Sequence, residues 1–173
     1  ISPLHATIYL SEDKLYVRDE GSLNGVYKRL QLSTQLENGD VFMAGEELLA
    51  VEFDELTPDQ MGPCATHFFG SPRPAKNYRV RQLLEGGARG LCFYPAGAVV
   101  SIGREGTDME FPNDRFISGT HCTVEFTGQS VVLSDLQSRN GTYVRVDGLT
   151  ELTDGDYIFV GRQLLRVVVE TKA

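Results

Sequence analysis

The 173-residue sequence has no tryptophan, only three histidines and only three cysteines. Cys64, Cys92 and Cys122 are far apart and form no Cys-x-x-Cys pair, which argues against a zinc ribbon or a disulfide framework. Cys64 and His67 form one Cys-x-x-His pair, but no second pair completes a metal site. We therefore expect no metal and no cofactor. Sparse cysteine is also typical of a reducing, cytoplasmic compartment.

Basic residues and long apolar runs are scarce as well. Lys and Arg number 16 against 24 Asp and Glu, a formal net charge of −8. A nucleic-acid-binding protein normally has a basic surface, so we expect no nucleic-acid partner. No apolar run approaches the roughly 18 residues of a membrane helix, and no signal peptide is recognisable. We expect no membrane partner and a cytoplasmic location.

The chain contains an internal repeat. Ser-x-x-His occurs at Ser2 and again at Ser118, and the same offset aligns Ser-x-Asn-Gly-x-Tyr at Ser22 with its second occurrence at Ser138. The alignment continues without a gap over most of residues 2–53. So many coincidences in one register establish a duplication.

Both copies show short strands separated by turns. Cys122, Val124 and Phe126 alternate with polar residues, which is the period of a half-buried strand. Other β-branched and aromatic runs are separated by turn signals such as Asn140-Gly141. No segment carries a helical stripe. The pattern predicts an all-β fold, either a sandwich or a barrel.

A proline-rich segment, residues 54–77, separates the copies and is predicted to be a linker. The predicted domains are residues 1–53 and 78–173. Phe68 and Phe69 are more apolar than a free linker requires, so we expect them to dock on a domain. The second copy has a long segment ahead of its Ser-x-x-His motif, and the first has almost none. The first domain is therefore predicted to lack its opening strands, either because the chain is a fragment or because those strands come from elsewhere.

Three motifs of the second copy, in this order, resemble the signature of the forkhead-associated (FHA) domain. They are Gly103-Arg104, Ser118-x-x-His121 and the run Asp-Leu-Gln-Ser-Arg-Asn-Gly-Thr at 135–142. The resemblance covers residues 78–170 in full and residues 2–53 as the second half of another copy. It implies two FHA-like β-sandwiches joined by the linker, with loops at one end that bind phosphothreonine peptides.

Phosphothreonine carries close to two negative charges and three acceptor oxygens, so its site needs fixed donors and a cation. Arg104 follows an apolar strand, and its planar guanidinium group can match phosphate oxygens. The resemblance implies that Arg104 and Ser118 contact the phosphate and that Asn140 bonds the peptide backbone. Arg139 would add a phosphate contact. At Gly119, a polar contact of some family members is lost or replaced by a backbone N–H.

The resemblance implies structural support of the site by Gly103, His121, Gly141 and Thr142. The first copy keeps Ser2, His5, Asn24 and Gly25. It has Leu23 in place of Arg139, and its phosphate-side arginine is not in the sequence. We expect a weak or degenerate site there. Arg115 and Arg145 are interpreted as solvated surface arginines, with extension of the pocket as the alternative. The repeat partner of Arg145 is Arg29.

The predicted function is phosphothreonine-peptide binding by a signalling adaptor downstream of Ser/Thr kinases, chiefly through the second copy. Its partner would be a phosphorylated protein or peptide, such as a substrate of such a kinase. The alternative is a structural or oligomerising module that binds regardless of phosphorylation. An enzyme is not expected, because the sequence has no Gly-x-Ser-x-Gly elbow, Walker loop or His-Glu-x-x-His motif.

Overall fold

The computed structural model describes residues 2–53, 64, 66, 69–72, 78–128 and 130–170. This part consists of sixteen strands and one 3-10 turn at Glu85–Gly87. The strands are β1 (Ala6–Ser11), β2 (Lys14–Asp19), β3 (Val26–Arg29), β4 (Ser33–Leu36), β5 (Val41–Ala44), β6 (Glu47–Phe53), β7 (Tyr78–Leu83), β8 (Arg89–Phe93), β9 (Val99–Gly103), β10 (Met109–Glu110), β11 (Cys122–Phe126), β12 (Val131–Asp135), β13 (Thr142–Arg145), β14 (Leu149–Leu152), β15 (Tyr157–Val160) and β16 (Gln163–Arg166).

Most of the predicted linker, including Phe68 and His67, lies outside the described residues. Phe69 is described and is 97% exposed. The prediction that it docks on a domain is therefore wrong.

The strands form three sheets. Five strands pair in the order β10-β9-β11-β12-β4, three in the order β1-β2-β14, and eight in the order β16-β15-β3-β13-β5-β6-β7-β8. The pairing of β9 with β10 is parallel, and the other pairings are antiparallel.

The two sequence copies exchange strands. From the first copy, β4, β5 and β6 pair with β12, β13 and β7 of the second. In return, β14 and β15 of the second copy pair with β2 and β3 of the first. The exchange is symmetric in the repeat, since Thr142 lies opposite Ala44 and Val160 lies opposite Val26.

The larger sandwich packs the five-stranded sheet against β13, β5, β6, β7 and β8. Its core joins Phe42 and Leu49 of the first copy to Val100, Ile102 and Leu133 of the second, all of them fully buried. Each such side chain contributes about 1.5–3 kcal/mol of hydrophobic stabilisation. The exchanged strands are therefore part of the core that supports the loops described below.

The smaller sandwich packs β1, β2 and β14 against β3, β15 and β16, around Val17, Val26, Leu152 and Ile158. Within the described residues it has no counterpart of β7–β10. The predicted all-β fold with two sandwiches is confirmed. The domain boundaries at 53 and 78 stay a prediction. Each sandwich contains strands from both sides of residues 54–77.

Candidate functional site

The predicted site residues lie on loops that follow β9, precede β11 and connect β12 to β13. The backbone N–H of Arg104 donates to the carbonyl oxygens of Ser118 and Gly119, at 2.9 and 3.0 Å. A Cβ at Gly103 would collide with the Gly119 carbonyl oxygen. Glycine at 103 thus allows the first two loops to approach closely.

Ser118 and Asn140 join the second loop to the third. The backbone N–H of Arg139 donates to Ser118 Oγ at 3.1 Å. Asn140 Nδ2 donates to the Phe116 carbonyl oxygen at 2.7 Å. Ser118 is half-buried, whereas the Arg139 and Asn140 side chains are exposed. The hydroxyl proton of Ser118 and the Oδ1 atom of Asn140 remain available to a ligand.

His121 is fully buried beneath these loops. Its Nδ1 accepts the Ser118 N–H at 3.0 Å, so the ring proton lies on Nε2, which is 3.2 Å from the Gly141 carbonyl oxygen and donates to it. Burial lowers the pKa of His121, which keeps the ring neutral at physiological pH. The ring therefore holds the Ser118 loop against the Gly141 turn.

Asp135 organises the third loop from within. Its Oδ1 accepts the hydroxyls of Ser138 and Thr142 at 2.6 and 2.7 Å, and its Oδ2 accepts the Ser138 N–H at 3.0 Å. Burial opposes ionisation of Asp135, but these hydrogen bonds outweigh it and lower its pKa. Sequence reasoning gave no role to Asp135 or Ser138, although their repeat partners Asp19 and Ser22 were a usable signal.

The cationic side chains around the loops are unpaired. Arg104, Arg115 and Arg139 are exposed, and none of them forms an ion pair within the described part of the chain. Arg145, the other alternative extension of the pocket, instead lies against Gly25 in the first copy, and its repeat partner Arg29 lies against Gly141.

The first copy reproduces the loop framework, but its described residues include no counterpart of Arg104. The Ser2 N–H donates to His5 Nδ1 at 3.1 Å, and His5 Nε2 lies 3.1 Å from the Gly25 carbonyl oxygen. Leu23, at the repeat position of Arg139, is 89% exposed. Asn24 is exposed as well, and the arginine that lies against its neighbour Gly25 is Arg145, on β13 of the second copy.

Among the described residues, no group of three or more His, Cys, Asp or Glu side chains is arranged to hold a metal ion. In the same part of the chain, no helix is long and apolar enough to cross a membrane.

Loops that converge at one end of a β-sandwich and carry arginines without an ion-pair partner among the described residues are typical of a binding module. A family model for the FHA domain matches residues 1–45 and 100–161, which together make up more than half of the chain. The chain belongs to the FHA domain family, which is a family of protein-interaction domains.

One solved structure that resembles the chain is Mycobacterium tuberculosis EmbR in complex with a low-affinity phosphopeptide. The sequences are 23% identical, and the TM-score is 0.31. The match covers 52% of this chain and 27% of the EmbR chain. No curated protein matches the chain.

Proposed function

We propose that the chain binds phosphothreonine-containing peptides at the loops that carry Arg104, Ser118, Arg139 and Asn140. The observation that carries this proposal is the position of Ser118. Its carbonyl oxygen accepts the backbone N–H of Arg104, and its hydroxyl oxygen accepts that of Arg139. Two unpaired arginines are thereby anchored on either side of one hydroxyl donor.

The donor set fits a phosphate. The two guanidinium groups supply planar, permanently charged donors that match phosphate oxygens. The Ser118 hydroxyl supplies a neutral donor between them. Asn140 Nδ2 donates to the Phe116 carbonyl oxygen, so its Oδ1 can accept an N–H of the bound peptide. Phosphate and peptide backbone would thus be recognised by adjacent side chains.

The expected affinity is micromolar. Each charge-assisted hydrogen bond contributes about 1.5–3 kcal/mol. The entropy cost of ordering an extended peptide and the side chains that hold it offsets part of the free energy from two or three such bonds. A dissociation constant of 1 μM corresponds to about 8 kcal/mol of binding free energy.

The proposal includes an adaptor role downstream of Ser/Thr kinases, because such kinases produce phosphothreonine. The second copy's loops would be the reader, since the first copy presents Leu23 where the second presents Arg139. The partner is accordingly a phosphorylated protein, such as a kinase substrate.

Calorimetric titration tests the proposal with a peptide selected from a phosphothreonine library and with its unphosphorylated form. We expect binding of the phosphorylated form only, and at least a tenfold loss of affinity in Arg104→Ala. Arg162→Ala, which removes an exposed arginine from the turn after β15, is the matched control and should bind normally. Equal affinity for the two peptides would refute phosphate recognition.

A second candidate is binding of a protein partner regardless of phosphorylation. It is favoured by exposed apolar side chains on the smaller sandwich, namely Ile8 and Leu10 on β1 and Leu164 on β16. A partner that binds equally well after phosphatase treatment and is lost in Ile8→Asp would support this candidate. A partner lost in Arg104→Ala alone would count against it.

A further inference from the structure

We infer that the first copy helps to build the site of the second, through the turn at Gly45-Glu46 and through Asp114 as a positioning residue. This inference rests on the proposed function for its ligand, but its geometry is independent of that function. Gly45 and Glu46 connect β5 to β6, two of the strands that the first copy contributes to the larger sandwich.

Asp114 joins that turn to the loop ahead of Ser118. Its Oδ2 accepts the backbone N–H of Glu46 at 2.6 Å. Its Oδ1 accepts the N–H groups of Phe116 and Ile117 at 2.7 and 3.3 Å. The carboxylate is buried, so water does not readily replace these bonds when it is removed. One side chain thus fixes the first copy's turn and the second copy's loop to each other.

The loop that Asp114 fixes carries two elements of the proposed site. The Phe116 carbonyl oxygen holds the Asn140 amide at 2.7 Å. Ile117 is buried in the core of the larger sandwich and is followed directly by Ser118. A shift of the Gly45-Glu46 turn would therefore move both the Ser118 hydroxyl and the support of Asn140.

Gly45 has no room for a side chain at this contact. Its φ is +65°, and a Cβ there would collide with Asp114 Oδ2 and lie 2.7 Å from the backbone nitrogen of Ile117. Gly45→Ala consequently introduces left-handed strain and displaces the loop at the same point.

The repeat provides a matched control. Gly161 occupies the equivalent position between β15 and β16, and its φ is +62°. Gly161→Ala imposes the same backbone strain, but on the smaller sandwich. If β14–β16 rather than β4–β6 completed the larger sandwich, Gly161 would take the place of Gly45 beside Asp114. The two variants therefore report which copy supports the site.

The experiment compares Gly45→Ala, Gly161→Ala and Asp114→Asn with the unmodified chain by amide hydrogen exchange without peptide and by calorimetry with the selected phosphopeptide. We expect Gly45→Ala and Asp114→Asn to speed exchange at Phe116, Ile117 and Ser118 and to weaken phosphopeptide binding about tenfold. Gly161→Ala should leave both measurements unchanged. Exchange at Val100 and Ile102 separates a local effect from loss of the whole sandwich, since a merely structural role would speed exchange there as well.

A Gly161→Ala effect on the 116–118 amides, or normal exchange there in both Gly45→Ala and Asp114→Asn, would overturn the inference. Faster exchange at 100 and 102 to the same degree would also overturn it. If the unmodified chain binds no phosphopeptide, the proposed function fails, and hydrogen exchange alone then decides whether the first copy supports this loop.

Discussion

Leu49 in the larger sandwich and Leu165 in the smaller one occupy the same position of the repeat, but Leu49 is 0% exposed and Leu165 is 43% exposed. The same contrast holds for Val124 and Ile8, which are 0% and 47% exposed. In the larger sandwich β7 pairs with β6, and β9 pairs with β11. The smaller sandwich has neither neighbour among the described residues. Burial at a repeat position is thus decided by the strands beside it and not by the residue.

The largest effect that tests this contrast is on stability. Leu49→Ala opens a cavity in a fully buried core and should cost about 2–5 kcal/mol of the free energy of unfolding. Leu165→Ala removes the same atoms from a partly solvated face and should cost less than about 1 kcal/mol. Urea denaturation followed by circular dichroism measures both. Equal costs would mean that the two sandwiches bury this position equally.

The repeat predicted the inward faces of the strands but not their partners. Alternation places Leu36 and Leu152 in a core, and both are buried. Their possible neighbours Leu15 and Val131 are themselves equivalent in the repeat. Sequence similarity therefore cannot decide between pairing within a copy and the observed exchange, in which Leu36 lies opposite Val131 and Leu152 lies opposite Leu15.

The repeat predicted only part of the site. Ser118, His121 and Asn140 have repeat partners in Ser2, His5 and Asn24. Arg104 and Arg139 have no arginine partner in the first copy and were predicted only from the resemblance to the FHA signature. Asp114 was missed because its repeat position would precede the first residue of the sequence. Its role also depends on Glu46, which only the folded chain brings near.

An effect of intermediate size is expected on the pH dependence of stability. It concerns Cys122, whose repeat partner in the smaller sandwich is Ala6. Burial raises the pKa of Cys122 to about 12, above the 9.0 that is usual for an exposed thiol. The unfolded thiol ionises first, so the stability that this thiol confers is complete below pH 9 and is lost as the pH rises from 9 towards 12. Between pH 8 and pH 10 we expect a loss of about 1.4 kcal/mol from this group.

Cys122→Ala, which installs the first copy's residue, isolates that loss from the other groups that titrate at high pH. Its free energy of unfolding in urea should fall less between pH 8 and pH 10 than that of the unmodified chain. Identical pH dependence in the two proteins would show that Cys122 is not excluded from water in the larger sandwich.

The smallest expected effect is on phosphopeptide affinity, and it distinguishes the loops of the second copy from those of the first. Ser118→Ala removes the hydroxyl between Arg104 and Arg139 and should weaken phosphopeptide binding about tenfold, the low end of the range expected for one hydrogen bond to a charged phosphate. Ser2→Ala makes the same change in the first copy, where Leu23 stands in place of the arginine, and should leave the affinity unchanged. Calorimetry with one phosphopeptide compares both variants with the unmodified chain. A loss in Ser2→Ala equal to that in Ser118→Ala would mean that the first copy's loops also read the phosphate, and the inequality of the two sites would no longer hold.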